Sequence, residues 1–548
     1  MTKNIKFSVM FWGLLFLVLS CSDAFAQDVN DVVDNIQKSS VSLSGFLSGI
    51  SYLTGVLFAV LAIMKTIDHV TNPSQTPISK PVIRFLIGGA LFALPTIMGA
   101  AYNTISGGGA NSLNYDPADL GGVFTVIQAY ATAHAGVTVG GDFNSILMNF
   151  LNSISDVPGL VSITSYLLGI LLTISGLLKA RDHVDDPERT TIREPLIRLL
   201  IAGALFAIPT VFDAMYNTIA DGGTIGVFFT NVLLSFASSS EDPTLNPLLI
   251  CPVRGMLPIT PKLGDVICSA EMSAVGLPVF LFMISYIIGL FFGIWGLMKI
   301  RDHVLSPMQT GLSEGVTRLL AGGGFFALPF VAEIMTGSIT PATLAVFQVG
   351  PTNTTFNESL GACTGTNSLD QAFGCLMQDI LIPSHTMINF FSTAAGLIFI
   401  MIGISRVIKS AQDGPKGPGG RGTIATFVTG GILISANAIL RAVSASLFNN
   451  QVTSTYASLT YTGTMSAAET QATYNLISAV LKFMIIIGII SFVRGIFIIR
   501  DVAEGNQQAS TMAALTHIIG GALAVNLGPL LNAVQNTLGV TAFGVAFG

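Results

Sequence analysis

Charged residues are absent from Val41 to Met64, cluster between Lys65 and Pro81, and become sparse again from Val82 to Ile105. A helix rises about 1.5 Å per residue, so roughly 20 apolar positions in a row cross the hydrocarbon of a bilayer. The pattern predicts an apolar helix, a polar turn punctuated by Asn72-Pro73 and Thr76-Pro77, and a returning helix. The same order of blocks recurs along the chain. Hairpins are expected at 49–106, 161–221, 278–338, 389–447 and 477–538, an all-α polytopic membrane protein with about ten transmembrane helices in five tandem helical hairpin repeats. Polar segments at 27–48, 107–160, 222–277, 339–388 and 448–476 connect them, and 539–548 forms a tail. The returning helices are the shorter signal, because only 14 uncharged residues separate Arg198 from Asp213, or Arg318 from Glu333. They are read as spanning, with a bent or partly re-entrant segment as the alternative.

The hairpins are copies of one another. Tyr52, Gly55, Lys65, Asp68, His69, Arg84, Gly89 and Pro95 recur 114 residues later as Tyr166, Gly169, Lys179, Asp182, His183, Arg198, Gly203 and Pro209. They recur again 120 residues further on as Tyr286, Gly289, Lys299, Asp302, His303, Arg318, Gly323 and Pro329. Fixed offsets without gaps mark a duplicated module. Two worn copies follow, through Arg406 and Gly430-Gly431, and through Arg494, Arg500-Asp501 and Gly520-Gly521.

Composition agrees with a membrane protein: of 548 residues 51% are hydrophobic and 10% charged, where soluble domains carry about 25% charged residues. A net charge of -6 with no basic arm argues against direct nucleic-acid binding, and none is expected. Lys3 and Lys6, the apolar run Phe7 to Leu19 and Ala24-Phe25-Ala26 predict a signal peptide over 1–26; a lipid-modified Cys21 is the competing reading. Of the 24 Lys and Arg residues, 17 fall in the turns within hairpins and their flanks, which by the positive-inside rule places those turns in the cytoplasm and the connections and both termini outside. Cys251 with Cys268 and Cys363 with Cys375 lie in those outer connections, so two local disulfides are expected.

The Asp-His pairs could bind metal or relay protons, but adjacent helical residues diverge by about 100° and do not chelate one ion together. They are read as ending the helix and holding the turn. Arg84, Arg198 and Arg318, each 16 residues after its Asp, are expected to meet that Asp across the hairpin mouth or to anchor at the interface. Pro95, Pro209 and Pro329 predict kinks. Gly88, Gly89, Gly289, Gly293, Gly322, Gly323, Gly430, Gly431, Gly520 and Gly521 predict close helix packing. No nucleophile–base pair, zinc spacing or nucleotide fingerprint occurs, so the chain reads as no enzyme and no cofactor is expected.

The Lys-x-x-Asp-x-x-x-x-Pro turn (Lys65, Asp68, Pro73) and the Gly-Gly-x-Leu-x-x-x-Pro return (Gly88, Gly89, Leu91, Pro95) resemble small inner-membrane proteins of Dot/Icm type IVB secretion and related conjugal transfer systems, of the IcmC/DotE and IcmD/DotP kind. The last unit, through Arg500-Asp501 and His517-Ile-Ile-Gly520-Gly521, resembles the same group. Those proteins carry one or two hairpins; here there would be five, fused. The resemblance implies a structural subunit of an envelope-spanning transfer apparatus in a bacterial inner membrane. Its expected partners are the lipid bilayer, other secretion or conjugation subunits and further copies of itself. The alternative is a secondary transporter or channel.

Overall fold

The computed structural model describes residues 29–94, 157–206, 262–334, 368–413, 420–448 and 463–540, apart from a few single positions, together with isolated residues and short strands between them. Five long helices dominate: α1 (Val29–Thr71), α3 (Val157–Asp185), α6 (Leu277–Leu305), α8 (Leu369–Asp413) and α11 (Ala467–Ala503). Each is followed by a short helix: α2 (Ser79–Phe92), α4 (Arg193–Phe206), α7 (Leu312–Phe326), α9 (Gly420–Ile434) and α12 (Thr511–Val525). Three further helices are α5 (Leu263–Met272), α10 (Ala436–Phe448) and α13 (Leu527–Leu538). Strands β1 (Phe356–Asn357) and β2 (Thr453–Ser454) pair in parallel, and β3 (Ala457–Leu459) pairs antiparallel with β4 (Val545–Phe547).

Among the described residues five helices are long and apolar enough to cross a membrane, or up to seven segments if each bent pair counts as one. The short helices fall below that length. At about 1.5 Å per residue, α2, with 14 residues, covers roughly 21 Å of a hydrocarbon layer about 30 Å thick. In the last two units a second helix continues after a sharp bend, 77° between α9 and α10 and 83° between α12 and α13. Pro95, Pro209 and Pro329 lie outside the described residues, as do the signal region with Cys21 and most of the outer connections. Asp28 to Lys38, a short acidic helix candidate by sequence, is helical from Val29 and runs unbroken into the first span as α1. Two boundaries differ from the sequence reading: α8 begins 20 residues before the expected start of the fourth hairpin, and α5 is a helix within an expected loop. Pro383 sits inside α8, a kink position the repeats do not share.

Each long helix packs against the short helix that follows it, and the crossing is made of backbone. A Cβ on Gly55 would stand 2.7 Å from the carbonyl oxygen of Gly88, and one on Gly289 2.7 Å from that of Gly322. Gly396 meets Gly430 at 2.6 Å and Gly488 meets Gly521 at 2.7 Å in the same way. The second unit has Ala202 where the others have glycine, and there Gly169 accommodates the ring of Phe206 instead. Gly293 lies against Gly322 within the third crossing. Gly323 and Gly431 are buried beside their crossings. Gly89 and Gly520 differ from the expectation: a Cβ at either would meet nothing within 4 Å.

The residue two places after each crossing glycine of the long helices is exposed and apolar in all five units: Leu57, Leu171, Phe291, Ile398 and Ile490. So is the residue two places before the crossing on the short helices: Leu86, Leu200, Leu320, Val428 and Ile519. Such continuous apolar surface on every unit is what a bilayer, not water, would cover. The units follow one another in space as in sequence. Each short helix also packs on the long helix of the next unit, α2 on α3, α4 on α6, α7 on α8 and α9 on α11.

Candidate functional site

The polar chemistry of the described residues gathers at the two ends of these helix pairs. At the turn end, the repeated histidines do the same thing three times. His69, His183 and His303 each place Nδ1 2.7, 2.6 and 2.7 Å from the carbonyl oxygen of Thr76, Thr190 and Thr310, seven residues on. A carbonyl only accepts, so Nδ1 carries the proton in each. Immediately after the histidine the chain leaves the helix on the same bond each time, Asn72 N–H to Asp68, Asp186 N–H to Asp182 and Ser306 N–H to Asp302. The Asp-His pair therefore ends the long helix and staples the turn. Among the described residues no group of three or more His, Cys, Asp or Glu could hold a metal ion.

The other repeated charges diverge. Lys65 pairs with Asp68 at 2.7 Å, Lys179 lies between Asp182 (3.8 Å) and Glu194 (3.9 Å), and Lys299 turns to Glu314 at 3.5 Å. Asp302 is held by Arg301 at 2.6 Å. The arginines do not reach the Asp of their own unit. Arg84 bonds Asp185 of the next unit at 3.3 Å, Arg198 donates to Ser175 at 3.3 Å, and Arg318 meets Glu314 at 3.0 Å beneath the ring of Trp295.

Two seams between units share a register. Arg181 lies over Phe58 of the preceding unit at 5.4 Å, and Arg500 over Phe399 of the preceding unit at 4.6 Å. Both arginines stand 12 residues after their crossing glycine and both phenylalanines three residues after theirs. Glu504 completes the second seam, bonded at 2.8 Å by both Arg406 and Arg500.

No protein-family model, curated protein or solved structure matches this chain.

At the opposite end, a small cleft of about 10 Å³ lies between α8, α10 and α11, lined by His385, Asn389, Ser392, Asn437 and Phe492 among others. His385, almost fully buried, contacts Asn437 at 3.4 Å. The cleft has room for about one water, far less than a small-molecule pocket needs. Nearby, Asn526, at the bend between α12 and α13, donates to Ser444 at 2.7 Å, tying the two bent helices together.

At this end α5 docks on α8. Gly264 N–H donates to the Asp379 carboxylate at 2.7 Å, and Thr386 to Glu271 at 2.7 Å. Burial pushes the Glu271 carboxyl up from its usual 4.5 to about 7, against the lowering effect of the Thr386 hydroxyl. Cys268 on α5 and Cys375 on α8 are each disulfide-bonded; Cys251 and Cys363, their expected partners, lie outside the described residues.

Serines missed by the sequence reading close the crossings. Ser51, Ser285 and Ser392 donate to the carbonyls of Leu91, Phe325 and Leu433 at 2.7, 2.6 and 2.8 Å. Leu91 and Phe325 stand four residues before Pro95 and Pro329, and a proline has no N–H to return their helical bond. The serine supplies it. The signal was present, since Ser51, Ser165 and Ser285 recur at the module's offsets, as do Thr76, Thr190 and Thr310. Ser165 instead bonds Val161 of its own helix.

Proposed function

We propose that the chain is a structural subunit of the membrane platform or channel of a type IVB secretion or conjugative transfer apparatus. In this reading it sits in a bacterial inner membrane with the histidine-stapled turns in the cytoplasm and the bent helices, disulfides and termini on the periplasmic side. The five long helices cross the bilayer and the five short ones return, ten membrane segments in five hairpins. The observation that carries the reading is the recurring crossing: backbone on backbone at glycine in four of the five units, and apolar outward on every unit. That is the construction of a scaffold built by repetition. The resemblance of the Lys65 to Pro95 pattern to Dot/Icm components supplies the choice of machine.

The test is cross-linking in native membranes, capture of a tagged chain and mass spectrometry of what accompanies it. Near-stoichiometric secretion or conjugation proteins are expected. Their absence, together with substrate flux through the purified chain in liposomes, would replace this reading with the transporter or channel, for which the cleft at His385 is the starting point.

A further inference from the structure

The junction between units uses two different faces, the outer side of a short helix and the groove beside the next long helix. A junction of that kind, repeated in one direction, leaves one donor face and one acceptor face unused at the ends of the array. Both are visible. Eight residues after the crossing glycine, Leu177, Leu297, Ile404 and Ile496 are 8%, 6%, 4% and 1% exposed, whereas Ile63 of α1 is 52% exposed. One residue after the glycine, Ile170, Leu290 and Leu397 are 0% and Ile489 6% exposed, whereas Val56 of α1 is 51% exposed. The other end mirrors this. The residue just before the crossing on the short helix is buried in the first four units, as Ile87, Ile201, Ala321 and Thr429, and exposed in the fifth, as Gly520. These are not the positions that face outward in every unit, such as Leu57 or Ile519. They are the positions closed at each internal junction and open only where the array stops.

We propose that a second copy of this chain fills them, with α12 of one copy lying along α1 of the next and repeating the internal junction head to tail. The internal contacts set the register. Gly324, two residues after its crossing position, lies beside the Ile404 side chain, eight after its own, where an added Cβ would be 3.6 Å away. The same register places Leu523 of one copy beside Ile63 of the next, with Gly520 near Ile67. The registers of the seam pairs Arg181 with Phe58 and Arg500 with Phe399 are held at the chain's ends by Ile67 and Ser491. The junction between copies is therefore apolar and insensitive to salt. Because its two faces differ, each added copy extends the array by five units in one direction. The proposal does not depend on which apparatus the chain serves, and it can fail while that reading stands.

Two differently tagged full-length copies, one Ile63→Cys and one Leu523→Cys, are expressed together and oxidised in native membranes. The mixed pair is expected to give a two-copy product in several-fold excess over either variant alone or the unsubstituted chain, undiminished at high salt. A chain carrying both substitutions should give a ladder of larger products. A doubly substituted chain that cross-links only within itself, or a product joined to a different protein, overturns the proposal. So does a single-copy mass for the unsubstituted chain in native nanodiscs, which needs no variant to fold.

Discussion

Gly322 and Gly89 are both helical glycines on returning helices, yet a side chain means different things at each. A Cβ at Gly322 would stand 2.9 Å from the Gly289 carbonyl oxygen, a distance closed by backbone that cannot rotate away. Gly322→Val is expected to force the third helix pair apart and cost roughly 1–3 kcal/mol, as overpacking does. Gly89→Ala meets nothing within 4 Å and should be neutral, or stabilising by up to about 1 kcal/mol through helix propensity. Thermal unfolding in one detergent compares the two, and equal effects would remove the crossing from the account. Ser285→Ala leaves the Phe325 carbonyl without its donor at a buried site, at an expected cost of about 1–3 kcal/mol. Ser165→Ala, which loses only a bond within its own helix, should cost less.

Among the elements, the turns and α5 make separate predictions. His183→Ala removes the bond to Thr190 and should raise amide exchange across 184–191 without altering the helices, an outcome read by hydrogen-exchange mass spectrometry. The docking of α5 depends on pH through Glu271. Its carboxyl, with a folded value of about 7 against an ordinary 4.5, binds a proton more tightly in the folded state than in the unfolded. The stability it contributes is full below about 4.5 and is lost as pH rises through about 7. Protection factors in 263–272, which divide out the base-catalysed intrinsic exchange rate, should therefore be higher at pH 6 than at pH 8, and Glu271→Gln should make the two alike. A wild-type α5 indifferent to pH would contradict this. The turns were legible in the sequence because a long apolar block followed by a repeated polar motif needs no partner to be recognised. The docking of α5 was not, since Glu271 and Thr386 are 115 residues apart and neither recurs.

For the molecule as a whole, the order of units is held by apolar packing with guanidinium groups at two of the seams. Arg500 contributes an ion pair to Glu504 and lies over Phe399. Arg500→Lys should keep the charge but lose the planar stacking and the shared bond with Arg406, weakening the seam between the fourth and fifth units by about 1 kcal/mol. Proteolysis between 504 and 510 would rise if so. The sequence by itself determined the helical class, the five long apolar helices, the repeated turn and the small residues available for contact, because hydropathy and internal repetition are local properties. Only the tertiary structure decided which glycine of each pair makes the crossing, that Arg84 reaches forward to Asp185, that serines replace the N–H groups prolines lack, and that the first and last units end open. Those outcomes depend on which faces meet, and adjacent positions on a helix differ by about 100° in direction while looking identical in composition.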